Sequence, residues 1–154
     1  MLDISDIAPD FTMPQSGGNQ DVSLSDMRGK SVVLFFYPRD NTPGCTKESI
    51  GFSSQLQAFA DAGALVFGIS KDSLKKHDNF VAKYDLTTPL LSDAETTTSE
   101  DYGVWKEKTL YGKKHWGIER STFLIDAEGR IAKIWRKVKV DGHVEEVLAA
   151  AQAL

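Results

Sequence analysis

The stretch Ser31-Val-Val-Leu-Phe-Phe-Tyr37 has no polar side chain between Val32 and Phe36, and only a phenol at Tyr37. A strand with one wet face alternates polar and apolar residues, so an unbroken run like this is predicted to be covered on both faces. Two further segments, Ala64–Ser70 and Ser121–Asp126, are also continuous runs rich in Val, Phe and Ile. A fourth, Ile131–Lys137, follows the third across Ala127-Glu128-Gly129-Arg130, a short glycine-containing loop that predicts an antiparallel hairpin.

Helical patterns separate these strands. Phe52, Leu56, Phe59 and Ala60 recur at three- and four-residue spacing and Gly63 ends the pattern, which predicts a helix over 45–62. Further helices are expected over 73–84, with Leu74, Phe80 and Val81 inward, over 94–104, and over 143–153. A short strand near Thr88–Leu91 and an extended pair at the start, split by the Gln15–Asp21 loop, complete the order. This is an α/β chain: a central mixed sheet with helices on both faces, in an order that resembles the thioredoxin-like fold.

With 154 residues, 41% hydrophobic and 26% charged, residues 1–154 are expected to form one domain with a real core. No apolar run approaches the roughly 18 residues a membrane helix needs. The first residues hold early acids and no basic, then apolar, leader pattern, so a cytoplasmic location is expected. A net charge of −4 argues against nucleic acid. One cysteine excludes a disulfide framework and multi-cysteine metal sites, and three scattered histidines offer no metal spacing, so no metal or cofactor is expected.

That one thiol, Cys45, follows the first core strand in Tyr37-Pro-Arg-Asp-Asn-Thr-Pro-Gly-Cys-Thr-Lys-Glu48. Pro38, Pro43 and Gly44 impose an irregular loop at the carboxyl end of a strand, where open α/β sheets place their sites. Cys45 falls in the first turn of the next helix, where free N–H groups and the helix dipole favour a thiolate. A lone cysteine is ordinarily a small buried hydrophobe. Its place at a strand-to-helix switch, framed by Thr42 and two prolines, makes this one a nucleophile candidate.

Pro38, Thr42 and Cys45 fit P-x-x-x-T-x-x-C, and the twelve-residue string around them resembles the peroxiredoxins of the PrxQ, or bacterioferritin comigratory protein, subfamily. Ala8-Pro9-Asp10-Phe11, Ser92-Asp93 and Gly117-Ile-Glu-Arg-Ser-Thr-Phe-Leu-Ile-Asp126 extend the resemblance over nearly the whole chain. It implies a peroxidase in which the Cys45 thiolate attacks a peroxide and becomes a sulfenic acid. It implies further that Thr42 contacts the peroxide and the sulfur, that Arg120 aims its guanidinium at both, and that Pro38 shields the site from water. Gly44 and Glu48 are expected in supporting roles. Glu48 either holds the loop or Arg120 through an ion pair, or is simply a first-turn glutamate favoured by the dipole.

One departure stands out. Members of that subfamily carry a resolving cysteine where this chain has Ile50, or in the next helix near Val81. With neither present, the expected reductant is an external thiol, either glutathione with glutaredoxin or thioredoxin. The expected state is a monomer or weak dimer. A second reading of the same residues is a redox sensor that signals through Cys45 oxidation. A third reading, a thioredoxin-like thiol–disulfide oxidoreductase, is weakened because that chemistry needs Cys-x-x-Cys and the fourth residue is Glu48. His77, among Lys75, Lys76 and Asp78, is expected on a solvated helix face. His115 and Trp116 either line the peroxide entrance or belong to a surface loop. Tyr111–Lys114 reads as a basic loop, His143 as a helix-start residue, and Trp105 and Trp135 as packing residues.

Overall fold

Five strands form the central sheet of the structure, a computed structural model that describes residues 2–18 and 20–154. In chain order the strands are β1 (Thr12–Met13), β2 (Val22–Ser23), β3 (Ser31–Phe36), β4 (Ala64–Ser70), β5 (Leu90–Ser92), β6 (Trp105–Leu110), β7 (Lys113–Ile118), β8 (Ser121–Ile125) and β9 (Ile131–Trp135). The helices are α1 (Pro43–Ser54), α2 (Leu56–Asp61), α3 (Leu74–Tyr84), α4 (Thr98–Asp101) and α5 (His143–Gln152). The sheet order is β5-β4-β3-β8-β9, with β3, β4 and β5 mutually parallel and β8 antiparallel to both its neighbours, β3 and β9, the mixed arrangement expected from the sequence.

Period-two alternation along β3 splits its apolar run between two cores. Val33, Phe35 and Tyr37 face a layer holding Phe52 of α1, Phe59 of α2, Phe80 of α3 and Val147 of α5. Val32, Leu34 and Phe36 face Met13, Leu24, Tyr102 and Val104 on the other side. Both right-handed crossovers move the same way across the sheet, β3 to β4 to β5, so α1–α2 and α3 share one face. α4, a 3-10 turn at Leu24–Met27 and the N-terminal segment cover the other.

Three expectations change. The helix over 45–62 begins two residues earlier and breaks at Gln55 (φ −105°, ψ 7°) into α1 and α2. The helix over 94–104 shrinks to α4. The buried Asp93 carboxylate accepts the N–H groups of Thr98 (3.1 Å) and Ser99 (2.7 Å), so the turn starts there, and Gly103 in the left-handed region (φ 70°) ends it. Residues 105–118 form an antiparallel hairpin, β6–β7, turned by Tyr111 (φ 53°) and Gly112 (φ 76°), so the expected basic loop is this turn and the strand after it.

Candidate active site

Sheet register assembles the site. β8 runs antiparallel to β3 with Ser121 opposite Phe36, so Arg120 sits where the chain leaves β3 for the Pro38–Thr42 loop. α1 then starts with Thr42 as an extended N-cap (φ −93°, ψ 155°) and Pro43 in its first turn, where a missing N–H costs nothing. No side chain caps this turn. Cys45 lies within it at 1% exposure, and Ser49, Phe52 and Phe59 continue its stripe into the core.

Arg120 ties the cysteine to the expected glutamate. Its Nη2 donates to Cys45 Sγ at 3.2 Å and its Nη1 donates to Glu48 Oε1 at 2.7 Å. Glu48 lies one turn beyond Cys45 and is fully buried, and its second oxygen, Oε2, is buried with no partner among the described residues. Of the two readings of Glu48, the geometry is therefore that of the ion pair. Burial pushes the Glu48 carboxyl up to about 7, and the nearby guanidinium only partly opposes it. Burial also works against the Arg120 charge, but Glu48 and the cysteine sulfur outweigh it and hold the guanidinium pKa above its ordinary value.

The remaining expected residues surround this centre. The Thr42 hydroxyl donates to Arg39 O at 3.0 Å, which leaves its lone pairs available to an incoming donor. Pro38 is exposed and lines, with Thr42, a cleft of about 470 Å³. Gly44 backs onto the guanidinium. His115 and Trp116 lie on β7 and line the same cleft with Trp105. Ile50 is exposed on α1 and Val81 half-buried on α3.

Two features had no signal in the sequence reading. Lys108, on β6, folds back over Gly117, donates to Ile118 O, and lies near enough to Cys45 and Arg120 to sense both charges. Burial lowers its pKa first, with Glu119 raising it. The second is a buried network beneath the loop. Tyr37 OH donates to Asp40 Oδ1 (2.6 Å), His77 Nδ1 meets Asp40 Oδ2 (2.6 Å), and His77 Nε2 meets Leu91 O (2.9 Å). His77 is thus fully buried, not solvated. Leu74, His77 and Phe80 recur at three-residue spacing, so the histidine occupies the inward stripe while its charged neighbours point elsewhere. Asp40, Asp72 and His77 could together approach a cation, but Asp72 Oδ2 already accepts from Asp40 N and Ser70 Oγ. His143 does start α5, is buried, and bonds Thr122 Oγ1 through Nε2 at 2.8 Å. Trp135 packs on it edge to face.

Known proteins are similar to this chain in sequence and fold. The AhpC/TSA family matches residues 4–134. The putative peroxiredoxin Bcp of Coxiella burnetii is 52% identical over 147 residues, covering 96% of this chain and 97% of its own. Peroxiredoxin Bcp of Bacillus subtilis is 48% identical over 147 residues, covering 96% and 93%. The bacterioferritin comigratory protein of Xanthomonas campestris, studied for alkyl peroxide reduction, superposes with a TM-score of 0.89 at 45% identity, covering 99% of this chain and 96% of that one.

Proposed function

The chain belongs to the AhpC/TSA family, whose relatives are peroxiredoxins, and on that premise we propose that it reduces hydrogen peroxide and organic hydroperoxides with Cys45 as its only redox thiol. The observation that carries this reading is the 3.2 Å contact from Arg120 to a 1% exposed sulfur at a helix N-terminus. The guanidinium and the first-turn N–H groups favour the anionic sulfur, the form that attacks. The thiolate takes the terminal oxygen of ROOH, the O–O bond breaks, and the departing RO⁻ takes a proton to leave as ROH. Arg120 stabilises the charge that develops on that oxygen. The Thr42 hydroxyl, donating its hydrogen bond to the Arg39 carbonyl, accepts from the peroxide O–H, and Pro38 walls the entrance.

The product is Cys45–SOH. No second cysteine exists to condense with it, so an external thiol R′SH forms Cys45–S–S–R′ and water, and a second R′SH releases R′SSR′ and the thiol. Glutathione with glutaredoxin supplies this more readily than thioredoxin, because the buried sulfur admits a small thiol with less opening of α1. Among the described residues no helix is long and apolar enough to cross a membrane. We place the protein in the cytoplasm, where such thiols are kept reduced, as a monomer or weak dimer.

Peroxide consumption with glutathione, glutaredoxin plus glutathione, and thioredoxin tests the reading, with Cys45→Ser as the blank. Turnover that recurs with the glutathione pair and vanishes in Cys45→Ser is expected. Consumption by the serine variant would overturn the assignment. A single reaction that stalls with every reductant would instead fit a sensor.

A further inference from the structure

The cleft above Thr42 has the wrong charge for this chain. The protein carries a net charge of −4, yet Arg39, Lys76 and Lys108 all line this one cleft. Among the described residues none of the three has a carboxylate partner: Arg39 and Lys76 are exposed without an ion pair, and Lys108 donates only to a carbonyl. Lys71, also in the lining, is neutralised by Asp93 and Glu100. The one acidic group there, Asp72, turns an oxygen inward to Asp40 N and Ser70 Oγ and is 8% exposed. Unpaired cations gathered in a cleft raise the local concentration of small anions. Trp105 and Trp116 give the same cleft flat apolar walls, and its volume of about 470 Å³ suits a small molecule.

Resting on the one-cysteine reading above, we infer that this cleft is the binding site for the resolving reductant, and that it selects an anionic low-molecular-weight thiol. Hydrogen peroxide only has to bring two oxygens to a buried sulfur. The resolving thiol has more to accommodate. It stays attached to Cys45 as a mixed disulfide, and everything beyond its sulfur must lie outside the closed pocket. The cleft begins at Thr42 and Pro38, beside the loop that ends at Cys45, and is where that remainder can lie. A carboxylate on it meets Arg39 and Lys76, and its carbon chain meets the tryptophans. Cys45–SOH and R′SH then give Cys45–S–S–R′ and water, with the cleft holding R′ while a second thiol attacks.

Turnover of hydrogen peroxide is measured with three thiols of nearly equal size: mercaptopropionate (anion), mercaptoethanol (neutral) and cysteamine (cation). Each is compared between the natural chain and Arg39→Glu/Lys76→Glu, so that intrinsic thiol reactivity cancels in the ratio. Reversing both exposed charges is expected to cost mercaptopropionate about five- to tenfold in kcat/KM and to favour cysteamine by a similar factor, with mercaptoethanol between them. The difference should collapse at about 0.5 M salt. A parallel series holds mercaptoethanol constant and compares a carboxylate-bearing hydroperoxide with a neutral one. Equal ratios for all three thiols would overturn the inference and leave the one-cysteine reading standing. A charge effect confined to the hydroperoxide series would overturn it too, by assigning the cleft to the oxidant. No turnover with any of the three monothiols would also overturn the inference, and the one-cysteine reading would then stand or fall on glutaredoxin and thioredoxin.

Discussion

A Cβ placed on Gly44 would lie 3.2 Å from Nη2 of Arg120, the same nitrogen that donates to Cys45 Sγ. Gly44 sits in the first turn of α1 with ordinary helical backbone, so its role is the space it leaves and not a left-handed turn. Gly44→Ala should therefore separate stability from rate. Alanine is better than glycine in a helix by about 0.5–1 kcal/mol. The guanidinium, though, must shift by a few tenths of an ångström, and oxidation of Cys45 should slow several-fold. Urea denaturation and stopped-flow oxidation of the two proteins check this. Equal oxidation rates would mean the Arg120 contact is not needed at this distance.

Removing the guanidinium goes further. Arg120→Met deletes the donor to sulfur and leaves Glu48 buried with neither oxygen paired. Loss of one preorganised donor typically costs at least about tenfold in rate. Oxidation by peroxide should slow by that much or more, read as single-turnover loss of the free thiol. An unchanged rate would take Arg120 out of the chemistry.

Glu48 makes an unusual demand on stability. Its carboxyl stands near 4.5 when unfolded and at about 7 in the folded chain, raised by burial. Between those values the unfolded state has released a proton that the native state keeps, so this group's contribution falls as pH rises through that window. Glu48→Gln removes the titration. Its stability relative to the natural chain should improve by about 2 kcal/mol on going from roughly pH 5 to pH 8. His143, held down at about 4 by burial, slopes the other way below its ordinary 6.5 and cancels because both proteins contain it. Denaturation at a series of pH values tests the point; a flat difference would mean Glu48 is already ionised across the range. Oxidation of Cys45 should slow at the same time, since glutamine pairs with Arg120 more weakly than a carboxylate does.

The candidate site was more legible than its surroundings for a physical reason. Cys45 and Glu48 are one helical turn apart, a spacing visible in any sequence, and Arg120 was marked by the string around it. β3, β4 and β8 announced themselves because burial on both faces demands uninterrupted apolar runs. The β6–β7 hairpin hides because it projects from the core. Its residues are mostly exposed or half-buried, so Lys106, Lys108, Lys113 and Lys114 interrupt any period, and the Tyr111-Gly112 turn is a weaker signal than Asn-Gly. With it went Lys108. Asp40 and His77 stand 37 residues apart and meet only after β3, β4 and α3 have packed, which no spacing rule records.

That pair gives the last and most demanding test. His77 Nε2 faces the Leu91 carbonyl, which can only accept, so this nitrogen carries a proton. Nδ1 and Asp40 Oδ2, 2.6 Å apart, then share the next proton, while Tyr37 OH donates to Oδ1. Burial, then Asp40, pushes the phenol pKa well up, so it stays a donor. Every polar atom of this network has a partner, and removing one member strands the others in a dry core. His77→Leu leaves Asp40 Oδ2 without a partner in the Pro38–Thr42 loop, and Asp40→Ala leaves the imidazole Nδ1 unpaired. Each single change should cost about 3 kcal/mol or more. The double variant strands neither group. It should be more stable than the sum of the two losses implies, with a coupling of about 1–3 kcal/mol in a urea-denaturation cycle. Simple additivity would show that Asp40 and His77 hold the loop independently of each other.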